Sequence, residues 1–262
     1  MKKSFGITIV LIILALALGS CTIVNEYESG IEVANKALPC VLELSAHFQA
    51  SKSYATGFII DDRGYVLTNA HAVTDKAGNI IYEAVEIKGK FYNSSEEYLL
   101  DIIAFDDEKD IAVLKFRRND LTLSALEVGD SKNLSYGATI FTLGNAEGYG
   151  ISMSKGIISV PQKNFKDSQT GITNQVIQID AAVNSGSSGG PLLNIEGKVI
   201  GMISFKVKNE DDVNVEGIGF AIPSEIFMNF YYDSLDISSD RTEDLNDEEN
   251  EESHGEDIGE SD

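Results

Sequence analysis

Basic residues are scarce in this chain. Its 262 residues carry 20 Lys and Arg against 42 Asp and Glu, a formal net charge of −22. Nucleic-acid binding is excluded on that ground, because phosphate contacts need clustered cations. Cysteine occurs only as Cys21 and Cys40, too few for a disulfide-rich scaffold. Histidine occurs only at 47, 71 and 254, and none stands near enough to Cys40 in sequence to suggest a metal pair. No metal and no cofactor is expected. Proline is limited to four residues, while 23 glycines supply turns. A single long apolar run exists, Phe5 to Leu18, and it is short for a membrane span.

That run belongs to a leader. Met1-Lys2-Lys3 is a basic start, the apolar stretch follows, and Leu18-Gly19-Ser20-Cys21 closes it with small residues before a cysteine. A secretory signal peptide has this three-part layout. The ending resembles the lipobox of bacterial lipoproteins, which implies cleavage after residue 20 and lipid on Cys21. An ordinary signal peptide and an uncleaved anchor are the alternatives, and an ordinary signal peptide has no need of the cysteine. With Cys21 lipidated, Cys40 has no partner for a disulfide and reads as a small buried thiol beside Val41 and Leu42.

The remaining length suffices for one large all-β domain or two small ones. Residues 21–39 read as a tether that ends in a short helix or arm. From about 40 to 222, short apolar segments alternate with turn residues. They include Val41–Phe48, Gly57–Ile60 with Tyr65–Thr68 across a Gly-containing turn, Val85–Ile87, Leu99–Phe105 and Ile111–Phe116. Thr139–Leu143, Gly156–Val160, Val176–Ile179, Val199–Phe205 and Gly217–Ile222 continue the series. Strands at this spacing suggest a β-sandwich or barrel. Pro223-Ser224-Glu225 then opens a predicted C-terminal helix through Tyr232. Between Asp233 and Asp262 stand fourteen Asp and Glu against the single Arg241. So few apolar residues predict a disordered tail, and its acids lack the spacing of a calcium loop.

Three residues stand out for chemistry. His71 follows the strand-like Tyr65–Thr68 through Asn69-Ala70, whereas His254 lies in the tail and His47 in a strand without a motif. Imidazole is the usual general base near neutral pH. Asp110 leads the apolar run Ile111–Leu114 and could orient a histidine; Asp106, Asp107 and Glu108 compete for that part. Ser188 lies in Asn184-Ser185-Gly186-Ser187-Ser188-Gly189-Gly190-Pro191. Glycines on both sides permit a tight turn whose N–H groups can face a developing oxyanion.

Four blocks in order resemble the trypsin-like serine proteases of the HtrA/Deg family. They are Thr56–Ile60 through Thr68-Asn69-Ala70-His71, then Asp110–Leu114, then Ile179–Asn184 through Gly189-Gly190-Pro191-Leu192, and finally Gly217–Pro223. Gly144-Asn145-Ala146-Glu147-Gly148 and Gly156-Ile157-Ile158-Ser159 fit between them. The resemblance covers roughly residues 40 to 230. It implies an all-β fold of two six-stranded antiparallel barrels with a C-terminal helix, over a protease domain at 40–232. It implies His71 as general base, Asp110 as its orienter, Ser188 as nucleophile, and the N–H groups of Gly186 and Ser188 as oxyanion hole. It also suggests a homotrimer.

The chain departs from the family pattern at Ser187, where Asn is usual, and at Ser185, where Pro or Arg is usual. Both keep small polar character, so the turn is expected to survive. No acid precedes Ser188, so activation by a freed N-terminus is not expected. With the acidic tail at 233–262, the PDZ domain that many members carry is not expected. Ala182 matches the base of the primary specificity pocket, with Val183, Ile203 and Phe220 as walls, and a small aliphatic residue would fit there. The reading is an extracytoplasmic, membrane-anchored lipoprotein at the cell surface or in the periplasm, cleaving unfolded or surface polypeptides. The alternative is a chaperone-like binding module with the same fold and little turnover. An esterase would use the same triad, but the Gly-x-Ser-x-Gly elbow is absent around Ser188.

Overall fold

The computed structural model describes residues 26–77, 80–166, 173–204 and 217–235. The leader, Cys21 and the acidic tail beyond 235 lie outside the described residues.

Helix α1 (Glu26–Ala37) runs through a 3₁₀ turn (Leu38–Cys40) into the first barrel. That barrel consists of β1 (Val41–His47), β2 (Lys52–Asp61), β3 (Tyr65–Thr68), β6 (Glu86–Phe91), β7 (Glu97–Asp106) and β8 (Ile111–Phe116). Its strands close in the order β1-β2-β3-β8-β7-β6. A short helix α2 (Ala70–Val73) follows β3, and a two-stranded hairpin, β4 (Thr74–Ala77) with β5 (Ile80–Glu83), stands outside the barrel. The second barrel contains β9 (Thr139–Gly144), β10 (Ser152–Lys166), β11 (Thr173–Ile179), β12 (Pro191–Leu193), β13 (Val199–Ile203) and β14 (Gly219–Pro223). It closes as β10-β11-β14-β13-β12-β9. Helix α3, residues 224–235, ends the described chain. The expected pair of six-stranded antiparallel barrels with a C-terminal helix is borne out.

The sequence pattern explains these elements. Ile111-Ala112-Val113-Leu114 are all buried, as in a strand covered on both faces. The β2–β3 turn ends at Gly64 with φ +91°, a conformation that favours glycine. Pro161 lies inside the long strand β10, where the register against β11 shifts between Val160 and Lys163; a proline removes a ladder donor and is tolerated at such an irregularity. Closure of both barrels removes open sheet edges.

Each barrel has its own core. Leu42, Leu44, Ile59, Val66 and Leu114 fill the first; Ile140, Ile158, Ile177, Ile179 and Ile203 fill the second. A third cluster joins them. It brings Val41, Phe58, Leu67 and Val113 of the first barrel against Phe141, Leu143, Leu193 and Met202 of the second, with Val33 of α1 and Phe227 of α3. The ring of Phe227 is fully buried and meets that of Phe58 edge-on at 6.0 Å. Burying one such ring contributes roughly 2–3 kcal/mol. The two barrels are thus held at a fixed relation, which matters because the site draws on both.

The α3 N-terminus is capped from outside. The N–H of Glu225 donates to Ser131 Oγ at 3.2 Å, while the Ser224 hydroxyl donates to the Gly129 carbonyl at 2.9 Å. The connection between the barrels therefore satisfies the helix end that Ser224 was placed to start.

Candidate active site

The register of the first barrel brings His71 and Asp110 together. Strands β3 and β8 are antiparallel with Thr68 opposite Ala112. Carrying that register past the end of β3 puts the residues after Thr68 beside those before Ile111. His71 sits on α2 with Ala70, Ala72 and Val73 buried around it. Its Nδ1 lies 2.8 Å from Asp110 Oδ1 and 3.0 Å from Oδ2, and its main-chain N–H donates to Oδ1 at 3.1 Å. Asp110 adopts φ +59°, a left-handed conformation that aspartate tolerates better than most residues. The Asn69 side-chain amide holds its carbonyl at 2.9 Å. Of the competing acids, Asp106 bonds Lys109 and Asp107 pairs with Lys76.

The second barrel supplies the other half. Strand β13 ends at Ile203, which exchanges two main-chain bonds with the glycine-rich loop: Gly189 N–H to the Ile203 carbonyl at 2.9 Å, and Ile203 N–H to the Gly190 carbonyl at 2.8 Å. The next residue, Ser204, is 2% exposed and donates its hydroxyl to Asp110 Oδ2 at 2.8 Å. One strand end therefore fixes both the loop that carries Ser188 and the carboxylate beside His71. Ser188 itself is buried, and its carbonyl accepts from the Thr56 N–H at 2.9 Å.

The turn around Ser188 is closed by its own backbone. Ser187 N–H donates to the Asn184 carbonyl and Gly190 N–H to the Ser187 carbonyl, each at 3.0 Å. The turn forms with Ser185 and Ser187 in place. Gly186 and Gly189 have φ of +86° and +81°. A Cβ on Gly189 would lie 2.2 Å from both the Thr56 carbonyl and Thr68 Oγ1, so only glycine fits between the barrels there.

A family model described as a trypsin-like peptidase domain matches residues 55–202. The chain belongs to that family. It is 37% identical over 165 residues to the serine protease Do-like HtrA of Lactobacillus helveticus, covering 62% of this chain and 37% of that protein. It is 39% identical over 175 residues to a probable periplasmic serine endoprotease DegP-like of Chlamydia muridarum, covering 64% and 31%. The HtrA-type protease AlgW with tripeptide superposes with a TM-score of 0.61 at 29% identity, over 76% of this chain and 61% of that one. The chain spans about a third of the length of these curated relatives.

Within this trypsin-like domain, the residues proposed for the specificity pocket are spread over neighbouring segments. Ala182 is exposed, Val183 is half-buried, and Ile203 and Phe220 are buried. The Phe220 carbonyl accepts from Ser204 N–H at 3.0 Å, and a Cβ on Gly219 would meet Val183 Cγ2 at 2.8 Å. Residues 205–216, which follow Ser204, lie outside the described set.

Two site residues of this trypsin-like domain escaped sequence reasoning. Ser204 ends an apolar strand and has no motif around it; its signal is a lone polar residue after five buried ones. Thr56 opens the Thr-Gly-Phe block, but nothing local marks its hydroxyl as part of a site 130 residues away.

Proposed function

We propose that the chain is a serine endopeptidase acting through His71, Asp110 and Ser188. The observation that carries this reading is the double attachment at the end of β13, which ties the Ser188 loop and Asp110 to the same two residues, Ile203 and Ser204. Ser188 Oγ attacks the scissile carbonyl while His71 takes its proton. Asp110 accepts from His71 Nδ1, so it holds the imidazole in the tautomer whose other nitrogen can act as base, and it stabilises the imidazolium that forms. The oxyanion is received by the N–H groups of Gly186 and Ser188. His71 then protonates the leaving amine, an acyl-enzyme on Ser188 remains, and water activated by His71 releases it. Nothing in this sequence of steps calls for a metal or cofactor.

The substrates in this reading are unfolded or surface polypeptides, with a small aliphatic residue before the scissile bond over Ala182, Ile203 and Phe220. A cation in that place would be desolvated without a carboxylate. The protein would act outside the cytoplasm, tethered through lipid on Cys21. The names of the periplasmic relatives support an extracytoplasmic location. Loss of labelled palmitate incorporation in Cys21→Ser tests the tether.

A fluorophosphonate probe tests the activity. Wild type should be labelled and Ser188→Ala should not. A folded wild type that stays unlabelled would sink the protease reading and favour the binding module.

A further inference from the structure

We propose that Thr56 is a positioning residue for the oxyanion-binding loop, acting through its side-chain hydroxyl; this rests on Ser188 being the nucleophile. Thr56 lies on β2 of the first barrel and is fully buried. Its hydroxyl donates to the Gly186 carbonyl at 2.7 Å and accepts from the Asn145 N–H at 2.9 Å. Because Asn145 occupies a lone pair, the hydroxyl proton is left to Gly186. The peptide plane between Gly186 and Ser187 is therefore held at both ends, its carbonyl by Thr56 and its N–H by the Asn184 carbonyl at 3.0 Å.

The neighbouring planes are held as well. The Ser187 carbonyl accepts from Gly190 N–H, and the Ser188 carbonyl accepts from the main-chain N–H of Thr56 itself. A trans peptide points its N–H opposite to its carbonyl. Fixing the Ser187 carbonyl thus turns the Ser188 N–H the other way, toward the side where the substrate carbonyl would sit. Of the three carbonyls in a row, the first is the vulnerable one. Gly186, at φ +86° and without a Cβ, has little steric resistance to rotation of its own carbonyl. The Thr56 hydroxyl supplies that resistance from the opposite barrel. Thr56 is anchored in turn, since its carbonyl accepts from Thr68 Oγ1 at 2.7 Å, three residues before His71. One residue of the first barrel thereby links the segment leading to His71 with both peptide units that flank Ser187 and Ser188.

Valine has nearly the shape of threonine but no hydroxyl, and it would leave the Gly186 carbonyl and the Asn145 N–H without their partner. The test measures kcat and KM on a short fluorogenic peptide, and the affinity of a peptide aldehyde that forms an oxyanion adduct on serine. Thr56→Val should lower kcat roughly tenfold to a hundredfold, less than or near the loss of one oxyanion donor. Aldehyde affinity should fall by the same factor, with KM within about twofold, because ground-state binding does not use the hole. Thr56→Ser, which keeps the hydroxyl, should recover most of both. A merely structural role would move melting temperature without splitting kcat from KM. The proposal is overturned if Thr56→Val keeps wild-type kcat and aldehyde affinity, or if Thr56→Ser is as impaired as Thr56→Val. Should the valine variant not fold, Thr56→Ala carries the same expectation. Ser188→Ala is measured alongside: turnover that survives there strikes at the nucleophile assignment, whereas a normal Thr56→Val in an enzyme abolished by Ser188→Ala strikes only at Thr56.

Discussion

The hydroxyl of Ser204, in the second barrel, donates to Oδ2 of Asp110, in the first, across 2.8 Å. The carboxylate that faces His71 is thus held from both halves of the molecule. Ser204→Ala removes one donor to a buried charged group and should lower kcat/KM about tenfold, in line with the net worth of such a bond. Steady-state kinetics with a melting curve separates this from loss of fold.

Asp110→Asn keeps a residue that tolerates φ +59° and should stay folded. Turnover should drop by about 10⁴, as when a triad aspartate is neutralised and the histidine loses its working tautomer. Asp110→Ala should show the same kinetic loss together with a lower melting temperature, since alanine is strained at that φ. Circular dichroism and burst kinetics on the two variants check the contrast.

Gly189→Ala should fail to give a stable native protein. Its Cβ would stand 2.2 Å from a carbonyl and a hydroxyl of the first barrel, at a φ of +81°. The destabilisation expected is above about 4 kcal/mol, from overpacking and backbone strain together. Denaturant titration, or recovery only in inclusion bodies, measures it.

The docking of α3 should depend on pH through Asp61. The Arg63 guanidinium beside Asp61 is the main reason its carboxyl is held down to about 2; the Tyr231 hydroxyl adds to this by donating at 3.0 Å. A depressed folded pKa gives stability that is complete above the unfolded value and is lost as pH falls toward the folded one. Asp61→Asn should therefore be less stable than wild type at pH 7 by about 1 kcal/mol, given a partly exposed pair. The gap should close between about pH 4 and pH 2. Melting temperatures of both proteins across that range decide the matter.

Cys40 should resist alkylation in the native state. Burial pushes its thiol up to about 11, so thiolate is scarce at pH 8, and its Sγ lies against the Lys36 carbonyl at 3.7 Å. Reaction with iodoacetamide should become fast only on unfolding, which mass spectrometry of labelled peptides follows.

Much of the fold was legible in the chain because burial repeats along a strand. Ile111–Phe116 was read to its ends, and β1, β9 and β11 were placed within a few residues. The β4–β5 hairpin was not foreseen. Ile80, Ile81, Tyr82 and Glu83 are all exposed, so no alternation marks them. The short β12 hid at the end of the glycine-rich motif around Ser188, where Pro191 and two leucines gave no periodicity.

The sequence by itself pointed to an all-β sandwich or barrel, because strand periodicity and glycine-bearing turns are local properties of the chain. Its motif blocks, through their resemblance to the HtrA/Deg proteases, implied two barrels and the candidates His71, Asp110 and Ser188. Tertiary structure decided which acid faces His71. That choice follows from the register of β3 against β8, a pairing between segments more than forty residues apart. It also decided that Ser204 bonds Asp110 and that Thr56 bonds the Gly186 carbonyl. Each contributes one hydroxyl whose partner lies across the interface between barrels, and neither periodicity nor the motif that holds a residue names a hydrogen-bond partner at that range.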